Sequence, residues 1–396
     1  METVDVVGMR VRNARILLRL IWQQPEISRA DLARLTGLSA STVSAIVGDL
    51  VKRGIVRLVR PGASSGGRPP IMVDFEAGVF GIAGVEIGAT HITVALTDLR
   101  GRVLATVDTP FPTRTDPAGT IAKISEMVAE CRAAAPDSSR LLGAGVAVPS
   151  PVDPSRPGEL SELILPAWAG VDLVDELEKS LGLPIFIEND ANAGALAERW
   201  FGDGGDDFTY VKVGTGIGAG HVIRGELYRG SGGLAGEIGH FSIDRFGPEC
   251  VCGNRGCLNV MAGTPSLLSR AASMTNDALT SARDIVVAAD QGEQWAKTVL
   301  DEVGTQLGIG IAGLLNLLNP SKVIFGGELV EAGENLLGPL RESARSRSLL
   351  FSNTQAEIIG TSLGTAAIAI GAAALALDAA LESHGIFDDA KARGVA

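Results

Sequence analysis

The sequence predicts an α/β protein: a small winged helix-turn-helix head in front of a larger, internally duplicated α/β body. Residues 28–53 read as two short helices joined by a turn at Gly37, the layout of a helix-turn-helix. Two strand–turn–strand stretches, one from Val79 and one from Phe208, share a design and mark a duplicated domain. Charge is segregated as well. Residues 1–75 hold 11 Lys/Arg against 6 Asp/Glu, the remainder 23 against 40, within a net charge of -12. A basic head on an acidic body confines nucleic-acid contact to the head.

Each element has a local reason. RVRNARILLRLIWQQ places Val11, Ala14, Ile16, Leu17, Leu18, Leu20 and Ile21 on a broad helical stripe, and Pro25 follows its end. Ser28 with Asp31 resembles a capping box, and Ser39 offers the next N-cap. The expected helices are Arg29–Thr36 and Ala40–Arg53, with Leu32, Leu35, Leu38, Val43, Ile46, Val47 and Leu50 buried against the first. Ser39, Ser41, Thr42 and Ser44 at the start of the second helix can reach phosphates and base edges in a major groove. After Gly54 two strand-like runs flank PGASSGG and make a wing ringed by Arg57, Arg60 and Arg68. Arg68-Pro69 resembles arms that enter a minor groove. Operator DNA is therefore an expected partner, and a protein-binding role for the three-helix fragment is the alternative.

From Val79 the chain reads strand, tight turn at Glu86–Thr90, strand, turn at Leu99–Gly101, strand. FTYVKVGTGIGAGHVIRGELYRG repeats this with a Gly-rich turn at Gly214–Gly220. Between them lie a buried strand, LLGAGVAVPSPVD, and a strand running straight into a helix, LGLPIFIENDANAGALAERWFG. The expected units are residues 1–75, 76–190 joined by the C-terminal helix at about 365–396, and 191–364. With 46% hydrophobic residues and 50 glycines, the body has ample core for a glycine-turned α/β fold. No apolar run reaches the roughly 18 residues that cross a bilayer without interruption by polar groups. The start METVDVVGMRVRNAR lacks the layout of a signal peptide. No membrane partner is expected, and free thiols fit a reducing cytoplasm.

Three of the four cysteines fall in Cys250-x-Cys252-x4-Cys257, with His240 ten residues upstream. Three thiolates and one imidazole make a closed tetrahedral set for a structural Zn2+, with no position left for an activated water. Gly253 and Gly256 lie inside this knuckle, where the backbone often needs positive φ. Cys131, in an Ala-rich helical stretch, reads as a buried small side chain. Glu237, three residues before His240, adds a carboxylate beside a metal-held imidazole whose second ring nitrogen is free for a ligand. Glu188-Asn189-Asp190 sits where a strand meets a helix, the crevice in which α/β folds bind ligands. Asn189 can bridge adjacent hydroxyls and Asp190 can accept a hydroxyl proton, or the triplet merely caps the helix.

GVEIGAT, VPSPVD, IENDANA, GTGIGAG, GEIGH, CVCGNRGC and FGGEL follow the winged helix in this order. As a set they resemble the ROK family (repressors, open reading frames, kinases), across essentially the whole chain. The head makes it similar to the family's xylose- and N-acetylglucosamine-type transcriptional regulators. The resemblance implies an actin-like (hexokinase/RNase H-like) two-lobed domain with a sugar in its cleft. It also implies sugar contacts from Asn189, Asp190, Glu237 and His240, and zinc on His240, Cys250, Cys252 and Cys257.

Departures from the family pattern point away from catalysis. The kinases carry a D-x-G-G-T-K-like phosphate turn, and this chain reads Glu86-Ile87-Gly88-Ala89-Thr90-His91. A longer carboxylate, a methyl where backbone must meet phosphate, and a lost fixed cation disrupt chemistry that depends on sub-ångström placement. Asn259 replaces a sugar-binding Glu, and Ser150 stands where glycine is frequent, so both are candidate ligand contacts. The expectation is a sugar-responsive regulator without kinase activity, no catalytic residue, and a homodimer or tetramer. The alternative is an ATP-dependent sugar kinase with an appended DNA-binding domain and Asp190 as its base.

Overall fold

The structure, a computed structural model, describes residues 6–59, 70–76, 78–135, 140–275, 279, 281–349 and 356–382. The head comprises α1 (Val6–Gln23), β1 (Ile27–Ser28), α2 (Arg29–Thr36), α3 (Ala40–Lys52), β2 (Val56–Val59) and β3 (Met72–Phe75). The caps fix the helix boundaries. Ser28 Oγ accepts from Asp31 N, Gly37 ends α2 at φ 70°, and Ser39 Oγ accepts from Thr42 N. Leu17, Leu18, Ile21, Leu32, Val43, Ile46, Val47 and Leu50 are buried together.

Leu35 and Ile16, expected in that core, are 47% and 42% exposed. The two-turn α2 presents one narrow stripe to its neighbours, and Leu32 fills it. The wing has a third strand, in the antiparallel order β1-β3-β2, because the residues entering α2 pair with β3. Arg60 and Arg68 lie outside the described residues.

The body's first sheet uses β4 (Phe80–Ile87), β5 (His91–Asp98), β6 (Val103–Pro110), β7 (Arg140–Val148) and β8 (Ile185–Asn189), with α4 (Pro117–Ala134) and α5 (Leu173–Leu181) between strands. Next come α6 (Asp190–Phe201), β9 (Phe208–Val213), β10 (Ile217–Ile223) and β11 (Glu226–Tyr228). Helices α7 (Leu258–Ala262), α8 (Thr264–Thr275), α9 (Ala282–Asp290) and α10 (Gln294–Leu318) lead to β12 (Lys322–Gly326), α11 (Glu334–Arg347), β13 (Glu357–Gly360) and α12 (Ala367–Glu382). The sheet orders are β6-β5-β4-β7-β8 and β11-β10-β9-β12-β13. Each is an antiparallel three-strand meander followed by two parallel strands, so the duplication read from the sequence is present strand for strand. The Gly-rich turn is shorter than expected, spanning 214–216. Gly218 and Gly220 belong to β10, where Gly220 lets α6 approach: a Cβ there would lie 2.5 Å from Ala191 O.

Between the sheets lie α6 and α12, packed against each other. Close approach is built from missing side chains. A Cβ at Gly145 would lie 1.7 Å from Ala372 O, one at Gly84 1.9 Å from Ala369 O, and one at Gly371 1.8 Å from Ala193 O. Backbone that close cannot yield without moving a helix. Gly145→Ala should therefore lower stability by about 1–3 kcal/mol or more, read as a fall in urea midpoint at unchanged slope.

The head is docked on this layer. Leu17, Leu18 and Ile21 of α1 share one cluster with Phe80, Leu99, Leu142 and the α12 residues Ala373, Ala376, Leu377 and Ala380. Trp22 Nε1 donates to Leu99 O at 2.6 Å, and its ring meets Trp200 edge-on at 4.5 Å and Phe201 at 6.0 Å. Arg100 donates to Ile21 O, Trp22 O and Asp74, tying α1 and the wing to the β5–β6 turn. Among the described residues no helix is long and apolar enough to cross a membrane.

Candidate functional site

The strand ends of both sheets open on one cleft of about 1510 Å³, roomy for a small polar ligand. Asn189, Asp190, Glu237, His240, Asn259 and Ser150 all line it, although they come from four separate segments. Asn189 ends β8 and caps α6, its Oδ1 accepting from Ala191 N and Asn192 N while Nδ2 donates to Ser150 O at 3.2 Å. Ser150 is buried, and its hydroxyl accepts from Ser161 N at 3.1 Å. Asn259 Oδ1 accepts from Ile217 N at 2.7 Å and so pins the 214–216 turn. These three amides and hydroxyls hold the cleft wall, each with part of its hydrogen-bonding capacity committed to backbone.

Asp190, the first residue of α6, is different. Its buried carboxylate accepts from Lys212 Nζ, at the end of β9. Beside it Glu237, half-buried, has its carboxyl raised above the usual range by burial and by the negative charge of Asp190. Glu188 is wholly structural, taking Asn189 N, Asn192 Nδ2 and Arg229 Nε.

The first turn is stoppered. The imidazole of His91 folds back over the turn, so that a Cβ at Gly88 would lie 2.3 Å from its Cε1, and Thr113 Oγ1 donates to Gly88 O at 2.5 Å. His91 Nε2 lies 3.7 Å from Glu86 Oε1, and that carboxylate raises the imidazole's pKa against the opposing effect of burial. The residue at the position of the kinases' cation thus turns toward a neighbouring carboxylate.

The four residues expected to hold a metal are brought together. Donor atoms of His240, Cys250, Cys252 and Cys257 all lie within 4.8 Å of one another. His240 turns Nδ1 to Cys250 Sγ at 3.6 Å and Nε2 toward Glu237 at 3.9 Å, so one ring faces both the thiols and the cleft. Gly253 and Gly256 adopt φ 89° and 60°, the left-handed turns expected of a backbone wrapping an ion. Three soft sulfurs and a nitrogen at this spacing suit a tetrahedral d10 cation.

In the head, Ser39, Ser41 and Ser44 are exposed and Thr42 is half-buried. Ser39 Oγ bonds both Ser41 Oγ and Thr42 Oγ1 at 2.8 Å. Arg57 is exposed and pairs loosely with Asp74 at 3.4 Å.

Comparison with known proteins decides the lineage. The ROK family profile matches residues 82–379, and a winged helix-turn-helix DNA-binding profile matches 12–57. The chain belongs to the ROK family. It is similar to the xylose repressor of Bacillus subtilis, at 34% identity over 96% of this chain and 98% of that protein. It is also similar to the DNA-binding transcriptional dual regulator NagC of Escherichia coli, at 31% identity over 94% and 93%. Among solved structures, a ROK transcriptional regulator described as a homolog of the E. coli MLC protein superposes with TM-score 0.81, 27% identity and 96% and 99% coverage. A ROK glucokinase from Streptomyces griseus, with glucose and AMPPNP, matches 74% of this chain and 98% of its own, at 32% identity and TM-score 0.65.

The kinase match covers 74% of this chain, whereas the regulators match 94–96% of it. This ROK protein is accordingly a DNA-binding transcriptional regulator, not an enzyme, with a winged helix-turn-helix ahead of the family's actin-like kinase fold. Two features escaped sequence reasoning. One is Lys212, a lone cation in the otherwise uncharged strand FTYVKV. The other is Trp22 against Trp200, aromatic residues 178 positions apart that local patterning does not connect.

Proposed function

We propose that this ROK regulator is a repressor whose cleft binds a sugar or sugar derivative, and that binding is transmitted to the head to change its hold on operator DNA. One observation carries the reading. Helix α6 begins at the cleft with Asn189 and Asp190 and ends with Trp200 and Phe201 against Trp22 of α1. Its 12 residues make a rigid rod of about 18 Å, long enough to couple the two without a flexible joint. A ligand that closes the cleft moves the start of the rod, and the far end moves with it. The ligand shifts the equilibrium only through unequal affinity for the two arrangements.

The relatives are named as a xylose repressor and a dual regulator, which supports a sugar effector and a regulatory output. His240, Cys250, Cys252 and Cys257 would hold a structural Zn2+ that braces the Glu237 side of the cleft and supplies no reactive water. The exposed start of α3 and the wing arginine Arg57 would meet DNA. A homodimer, able to pair into a tetramer, would present two recognition helices about one DNA turn apart. The working compartment is the cytoplasm.

A thermal-shift panel of sugars, sugar phosphates and ATP with Mg2+, on purified full-length protein, tests the core of this. A sugar should raise the melting temperature and ATP–Mg2+ should not. A response to ATP–Mg2+ with none to any sugar would sink the reading.

A further inference from the structure

Lys212 sits two residues before the 214–216 turn with its side chain only 13% exposed. Burying an ammonium is costly unless its donors are used. Among the described residues Asp190 is the one acceptor in hydrogen-bonding distance, although an ammonium carries three donors. Glu86 adds its negative field without a hydrogen bond. Lys212 also lines the cleft together with Asp190, Glu86, Glu237 and His91. Its remaining donors are available to whatever enters there.

The charges around it decide what that is. A phosphate ester would face the carboxylates of Asp190, Glu86 and Glu237, against one buried cation whose charge Asp190 already offsets. The first turn offers no compensating seat, because His91 packs over Gly88 and Ala89 carries a methyl. A hydroxyl meets none of this opposition. It can donate to Asp190 and accept from Lys212 at the same point, a two-way match that an anion cannot make.

We propose that Lys212 is an effector-binding residue that, with Asp190, engages one hydroxyl of an uncharged sugar and selects such sugars against their phosphate esters. The assignment rests on the reading of the cleft as the sugar site. It goes further by naming the ligand's charge class and the residue that sets it.

Calorimetry on the full chain tests it with D-xylose, D-glucose, N-acetyl-D-glucosamine, glucose 6-phosphate and N-acetylglucosamine 6-phosphate. At least one uncharged sugar should bind, more than tenfold tighter than either ester. Lys212→Met should weaken that sugar by tenfold or more. A purely structural ion pair would predict otherwise. In that case Lys212→Met/Asp190→Met, which leaves no unpaired charge, and Lys212→Met alone would differ in melting temperature, while Lys212→Met would bind the sugar as the wild type does.

If Lys212→Met does not fold, Lys212→Met/Asp190→Asn replaces it, and wild-type sugar affinity in that chain overturns the assignment. So does an ester that binds more tightly than its parent sugar. If wild type binds neither sugars nor esters, the sugar-effector reading itself fails and takes this one with it. If wild type binds a sugar that Lys212→Met binds equally, only the role of Lys212 falls.

Discussion

Trp22→Ala should give a protein that still binds its DNA and still binds its sugar, but in which the two events no longer influence each other. The indole is the point where α1 of the head meets the far end of α6, through an edge-to-face contact with Trp200 and a hydrogen bond to Leu99 O. The aromatic contact is worth about 0.5–1.5 kcal/mol and the hydrogen bond about 1 kcal/mol. Coupling between sites is typically ~1–3 kcal/mol, so removing these contacts can abolish it outright. The residue is half-buried, and the remaining α1 cluster with Phe80, Leu142 and α12 keeps the head attached.

The measurement is DNA affinity by fluorescence anisotropy, with and without saturating sugar, on a duplex selected by the full-length protein. The wild-type ratio should lie between about 5-fold and 150-fold and fall close to one in Trp22→Ala. A wild-type ratio surviving in the variant would mean that the signal travels by another route, such as Arg100 and the wing. Trp200→Ala should behave alike, since it removes the other half of the same contact.

Much of this protein is legible because its determinants are local. The limits of α2 and α3 follow from Ser28, Gly37 and Ser39, which cap whatever helix is attached to them. The metal-ligand set spans residues 240–257, so spacing alone brings its members together. The duplication is legible because each meander needs only neighbouring strands.

What stays hidden is set by distant packing. Lys212 reaches Asp190 across two elements, and nothing in FTYVKV says which face of the strand looks into the cleft. Leu35 and Leu32 are equally apolar, and only the docking of three helices exposes one and buries the other. The 214–216 turn looks longer in sequence because Gly218 and Gly220 serve helix packing, not turning. His91 reads as a missing cation, but its role comes from a ring folded onto Gly88.

Loss of the zinc proposed for the knuckle should have the largest effect of all. Phe246 and Val251 within it are 76% and 65% exposed, so the segment has little apolar core of its own. Short segments of that kind need a staple, and zinc binding in small domains is itself folding free energy. Cys257 is fully buried and its Sγ lies 3.6 Å from Cys252 Sγ, which makes it the least replaceable ligand. Cys257→Ala, or removal of zinc with a chelator, should cost several kcal/mol and lower the melting temperature by roughly 10 °C, at about 2–4 °C per kcal/mol for a body of this size.

Sugar binding should weaken in parallel by about 10–100-fold, because the same imidazole that faces the thiols also faces Glu237. Metal analysis should find one zinc per chain in the wild type and none in the variant. The pairing of the two losses is the informative part. A melting temperature that falls while sugar affinity holds would separate the knuckle from the cleft and leave Glu237 positioned by its own segment. A variant without zinc that keeps both would remove the metal from the account of this site altogether.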